Sequence, residues 1–213
     1  MKTEELITLL AIEVETVDKH VAGRRYAGAL GLGAVVSTLM MINLLGLLPD
    51  FSGVIRLPMF WAKIGFAASL TWASLLAVLR MSKPGMPMEW VPAALVVPVL
   101  AAWLFAVAVL AGADPAQRVE LIFGTTWAVC PFLIAMLSLP LFITVLWTMR
   151  GLAPTRLRLA GAAAGLLSGG VGALVYSLHC SEFSAPFIGF WYLLGILIPT
   201  LAGVFLGPLV LRW

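Results

Sequence analysis

Six apolar blocks, each about 20 residues long and separated by short polar connections, fill this chain from residue 27 to its end. A helix needs roughly 20 apolar residues to cross a bilayer core of about 30 Å. The blocks at 27–48, 60–79, 90–111, 121–146, 157–178 and 186–209 therefore read as membrane spans. Hydrophobic residues make up 62% of the 213 and charged residues only 11%, whereas soluble domains carry about a quarter charged residues. A water-soluble core is excluded. The expected fold is all-α: a polytopic membrane domain of six transmembrane helices (27–213) behind one sizeable soluble segment (1–26). That segment carries Glu4, Glu5, Glu13, Glu15 and Asp18 and lacks the basic start and apolar run of a secretory signal. The amino terminus is expected to stay on the side where it is made.

Short cytoplasmic loops retain Lys and Arg. An inside amino terminus assigns Lys2, Lys19, Arg24, Arg25, Arg80, Lys83, Arg150, Arg156, Arg158 and Arg212 to the cytoplasm and leaves Arg56, Lys63 and Arg118 outside. Both termini are thus expected in the cytoplasm, which requires an even number of spans. The net charge of +3 follows from this loop asymmetry and does not point to direct nucleic-acid binding, since the basic residues form no patch in sequence. Trp61, Trp90, Trp127, Trp147 and Trp213 fall near span ends, where an aromatic ring and a polar N–H are both accommodated. Trp72 and Trp103 do not, and read as packing residues.

The membrane interior is chemically quiet. Lys63 is expected to snorkel to the outer interface, and Ser37, Thr38, Asn43, Ser69, Thr71, Ser74 and Thr144 can bond to their own or neighbouring helices. Intramembrane charge usually marks ion or proton pathways, so an ion-coupled transporter is disfavoured. Pro98, Pro131, Pro140 and Pro199 are candidate helix breaks. In the fifth block, Ala162, Gly165 and Gly169 present a small-residue face that fits close helix contact within the chain or a seam between two copies.

Two features stand above this background. Cys130 and Cys180 are the only cysteines, and the span assignments put both near the outer end of the bundle. In an oxidising compartment they fit a disulfide; reduced, they offer soft ligands to a metal or targets to an oxidant, with His179 as an auxiliary metal ligand. Two unrelated apolar thiols are the plain alternative, and the spacing is not that of a thiol oxidoreductase. The second feature is a helical stripe formed by Leu6, Ile7, Leu10, Val14, Val17 and Val21 in the leading segment. Such a helix can lie on the membrane, pack on the chain's own loops or enter a protein groove; its polar face is acidic, which anionic lipid would repel, and this tilts the choice toward a protein partner.

The opening Met1-Lys2-Thr3-Glu4-Glu5-Leu6-Ile7, the Gly151-Leu152-Ala153-Pro154-Thr155-Arg156 loop, the run Tyr176-Ser177-Leu178-His179-Cys180-Ser181-Glu182, the element Phe190-Trp191-Tyr192-Leu193-Leu194-Gly195-Ile196 and the Leu211-Arg212-Trp213 ending resemble the NrsF-type family of bacterial membrane anti-sigma factors. The resemblance covers essentially the full length. It implies a six-span protein of the bacterial inner membrane that sequesters an extracytoplasmic-function sigma factor and releases it under stress. By that analogy Cys130 and Cys180 are stress-sensing thiols for oxidants or heavy metals, and the stripe from Leu6 to Val21 is the sigma-binding part. Partners are then the sigma factor and the bilayer, with a second copy of the chain the alternative use of the glycine face. No resident cofactor is expected beyond transient soft-metal binding. The rival is a small transporter or channel for a soft metal ion or small solute. An enzyme is not expected, because no nucleophile, base and orienting group assemble from the loops and no His-Glu-x-x-His motif is present.

Overall fold

The computed structural model describes residues 21–82, 86–152 and 154–212, and every regular element among them is helical. Six helices are long and apolar enough to cross a membrane. They are α1 (Val21–Leu44), α3 (Pro58–Met81), α4 (Val91–Gly112), α6 (Cys130–Arg150), α7 (Leu157–Tyr176) and α8 (Ala185–Val210), with short α2 (Phe51–Val54) and α5 (Pro115–Phe123) between them. The expected all-α architecture with six spans is present.

Two spans are bounded differently from the sequence expectation. The first stops at Leu44, because Gly46 takes a φ of +78° and the amides of Leu45 and Gly46 both turn back onto the Met41 carbonyl. The block at 121–146 is not one helix. Gly124, at φ +53°, closes α5, a turn follows, and α6 starts at Cys130 with Pro131 in its first turn, where a missing N–H leaves no bond unmade. Pro131 thus opens a helix, whereas Pro98, Pro140, Pro199 and Pro208 lie inside helices.

Small residues decide the centre of the bundle. Lipid is as apolar as leucine, so helices in a membrane associate by close contact and not by escape from water. In α7, 13 of 20 residues are buried. A Cβ on Gly161 would fall onto the Gly203 carbonyl of α8, one on Gly165 onto the Pro199 carbonyl, and one on Gly169 against Ile196. Gly170 lies equally close to Thr71 of α3, and Gly172 to Ile134 and Ser138 of α6. The small-residue face is therefore occupied within the chain, and α7 is the post on which α3, α6 and α8 pack.

The outer shell faces lipid. Leu32, Val97, Leu104, Phe132 and Leu209 are all exposed, as a bilayer permits and water does not. Trp72 joins them at 65% exposure, so it is a lipid-facing side chain and not the packing residue expected. Trp103 does pack: its Nε1–H donates to the Gly189 carbonyl at 3.1 Å. Thr38, Asn43, Thr71 and Ser74 bond to carbonyls of their own helices, as expected, while the buried Ser37 hydroxyl has no partner among the described residues.

Successive spans run in opposite directions, which divides the molecule into two ends. Arg24, Arg25, Arg80, Arg150, Arg156, Arg158 and Arg212 gather at one end, where the Tyr26 and Ser82 hydroxyls also meet. Cys130, Cys180 and Lys63 occupy the other.

Candidate functional site

At the thiol end, α6 begins and α7 finishes side by side. Cys130 is the first residue of α6, and its amide is anchored on the Thr126 carbonyl at 2.9 Å. Cys180 lies four residues beyond Tyr176, with its amide bonded to the Tyr176 carbonyl at 3.0 Å. Both cysteines are free thiols, both are buried, and both belong to one apolar cluster. Tyr176 is buried in the same cluster as the two thiols. The structure thus brings together the two side chains that the sequence singled out.

Tyr176 and Tyr192 of this cluster, and Lys63 beside it, had no part at the site in the sequence reading, which expected Lys63 at the outer interface. Lys63 does not snorkel; it is fully buried. Its ammonium donates to the Cys180 carbonyl at 2.8 Å and to the Glu182 carbonyl at 3.1 Å. It also stands 4.4 Å from the centre of the Phe183 ring and 5.7 Å from that of Tyr192. A buried cation is expensive unless hydrogen bonds and π faces replace its water, and here both do. Tyr176 and Tyr192 pack with ring centres 5.8 Å apart and planes tilted by 48°, and the Tyr192 hydroxyl is buried without a partner among the described residues. One signal for Lys63 was available: it falls on the same helical face as Phe60, Phe66, Ala67 and Leu70, all buried.

The segment carrying Cys180 is tied down from several sides. The Glu182 carboxylate accepts from both the amide and the hydroxyl of Thr125, each at 2.7 Å. Glycine is required at 124 beside it by a φ of +53°, which a side chain rarely adopts, and a Cβ there would also push on that carboxylate. Ser184 donates to the Leu121 carbonyl and Trp191 to the Ile122 carbonyl, so α5 and the turn after it are strapped to the start of α8. His179 is held elsewhere, with Nδ1 3.0 Å from the Gly46 carbonyl. Among the described residues, no group of three or more His, Cys, Asp or Glu side chains converges as a metal site would require. His179 is therefore not brought to the thiols as a third ligand.

Chemically, two reduced thiols in a dry cluster, with an ammonium and two phenols beside them, can be oxidised as a pair or can hold a soft ion through two sulfurs. Leu6, Ile7, Leu10, Val14 and Val17 lie outside the described residues, and Val21 stands at the start of α1.

Fold and site together define a polytopic membrane protein whose thiols lie at the end opposite seven of its nine arginines. The family described as NrsF, negative regulator of sigma F, matches residues 10–213. Over the full length of both chains, the sequence is 56% identical, across 213 residues, to the probable anti-sigma-F factor NrsF of Azospira oryzae. It is 38% identical, across 222 aligned residues and again over both full lengths, to the anti-sigma-F factor NrsF of Caulobacter vibrioides. No solved structure matches it. The chain belongs to the NrsF family.

Proposed function

We propose that this chain is a membrane anti-sigma factor of the bacterial inner membrane, which sequesters an extracytoplasmic-function sigma factor and releases it when Cys130 and Cys180 react with an oxidant or a heavy metal. The observation that carries the reading is family membership across residues 10–213. The arginine end faces the cytoplasm, as the bias of positive charge requires, and the thiol end faces outward. The apolar stripe of Leu6, Ile7, Leu10, Val14, Val17 and Val21 holds the sigma factor. The role is regulatory and not enzymatic.

The signal acts on the pair. An oxidant that accepts two electrons and two protons converts the thiols into a disulfide; a soft ion instead displaces both protons and bridges the sulfurs. Either outcome links the start of α6 to the chain just beyond α7. Those two helices are joined at the opposite end by residues 150–157, so a shift between them reaches the cytoplasmic side. The rival transport reading draws no comparable support, because α7 fills the middle of the bundle with glycines set against carbonyls.

Co-purification tests the reading. The detergent-solubilised chain, co-expressed with an extracytoplasmic-function sigma factor encoded beside it, should retain that factor, and Leu10→Asp with Val14→Asp should abolish retention. Failure of the intact chain to hold it under both reducing and oxidising conditions would sink the proposal.

A further inference from the structure

At the basic end, α1 and α6 touch and then part. Thr144 Oγ1 donates to the Ala29 carbonyl at 3.1 Å, and Gly33 sits directly on Leu141. Nearer the end, Gly28 and Gly23 have open space where a Cβ would stand. The diverging helices enclose a cleft of about 680 Å³.

Three guanidinium groups surround its mouth: Arg24 and Arg25 from the start of α1, and Arg150 at the end of α6. No Asp or Glu lines it, and among the described residues none of the three arginines has an ion-pair or hydrogen-bond partner. The floor is mostly apolar, formed by Gly28, Ala29, Leu32 and Trp147, and the hydroxyls of Thr144 and Thr148 that also line it are turned onto backbone carbonyls. Leu32 is eight residues beyond Arg24 on α1, about 12 Å along the helix axis, so the floor runs from the headgroup zone into the hydrocarbon.

A positively charged mouth above a dry floor directed along the membrane normal fits an anionic head on an apolar tail. An acidic peptide would satisfy the arginines, but its backbone could not follow the floor into hydrocarbon without unpaired N–H and C=O groups. We propose that this cleft binds an anionic phospholipid, with the phosphodiester on Arg24, Arg25 and Arg150 and one acyl chain along Gly28, Leu32 and Trp147. Guanidinium groups suit the head, because their paired N–H donors match phosphate oxygens. The bound lipid bridges α1, which continues from the segment 1–20, to α6, which starts at Cys130. This site stands independently of the sigma-factor reading.

Native mass spectrometry of the full chain, released from nanodiscs of equal parts phosphatidylglycerol and phosphatidylcholine, tests it. The intact protein should retain phosphatidylglycerol selectively. Replacing all three arginines (Arg24→Gln, Arg25→Gln, Arg150→Gln) should weaken that binding by about fivefold per arginine, on the order of a hundredfold together. Arg56→Gln with Arg118→Gln, at the opposite end, should leave it unchanged. Leu32→Trp, which fills the floor and spares the arginines, should also displace the lipid. Equal retention by the intact and triple-substituted proteins overturns the proposal. So does undiminished retention by Leu32→Trp, or full displacement of the lipid by inorganic phosphate, either of which would mean an anion site without a tail. Loss of a co-purified sigma factor from the triple variant at unchanged lipid retention would make the cleft a protein-docking surface and overturn it as well.

Discussion

Lys63 shows how one side chain sets the character of the thiol cluster. Its stem lies among apolar neighbours, and its ammonium replaces lost water with the carbonyls of Cys180 and Glu182 and the rings of Phe183 and Tyr192. These carbonyls belong to the segment that carries one of the two thiols, so the ammonium holds Cys180 in place as well as being held. Lys63→Met keeps the stem's bulk and removes the charge, which leaves the two carbonyls without this donor. Unpaired buried polar groups cost about 1–3 kcal/mol. The variant should therefore melt earlier in detergent, and its Cys180 should be alkylated faster by N-ethylmaleimide because the segment is less restrained. An unchanged alkylation rate would separate Lys63 from control of the thiol. Tyr176 offers a milder probe, since Tyr176→Phe removes only the hydroxyl of a ring buried in the same cluster as both thiols. Its melting temperature should stay close to the parent's while the reactivity of both thiols changes together.

Among the elements, α7 carries the heaviest constraint, because its glycines admit three neighbouring helices to backbone distance. Gly165→Leu would drive a side chain into the Pro199 carbonyl of α8, and no rotamer relieves a clash that begins at Cβ. That variant should not yield a monodisperse protein on size exclusion. Gly31→Ala, at a glycine of α1 with open space around it, should behave like the parent or gain up to about 1 kcal/mol from better helix propensity. The contrast marks what sequence can reveal at this scale. Six spans were legible because each is set by a run of apolar residues matched to bilayer thickness, and the small-residue face of α7 was legible from its spacing. The break between α5 and α6 was not, since Gly124 and Thr125 interrupt a stretch whose hydropathy alone reads as one span. At the site, the cysteines stood out by being the only two. Lys63 and the two tyrosines did not, because burial among helices distant in sequence gives them their roles, and a lysine near a span end ordinarily reaches for water.

For the whole molecule, the proposed function requires that chemistry at one end change binding at the other. Moving a sigma factor from about 99% held to about 1% held requires a bias of roughly 5.5 kcal/mol between two states of the bundle. The thiols are well placed to supply such a bias, because each is attached to a different long helix and both sit in a buried cluster that a new covalent or metal link would distort. Transmission needs two arrangements of α6 and α7 whose balance both ends influence, and adjacency of the helices is not sufficient for that. Replacing both thiols separates sensing from holding. Serine keeps nearly the size of cysteine, so Cys130→Ser with Cys180→Ser should leave the bundle folded and the sigma-dependent promoter silent in unstressed cells. The same cells, treated with a thiol oxidant or a thiophilic metal, should show no induction in a promoter-reporter assay where the parent protein responds. A reporter that is active without stress would instead assign the cysteines to the architecture of the thiol end. Retained induction would place the sensor on another group of the molecule, with the buried Lys63 and Tyr192 the nearest polar groups to examine next.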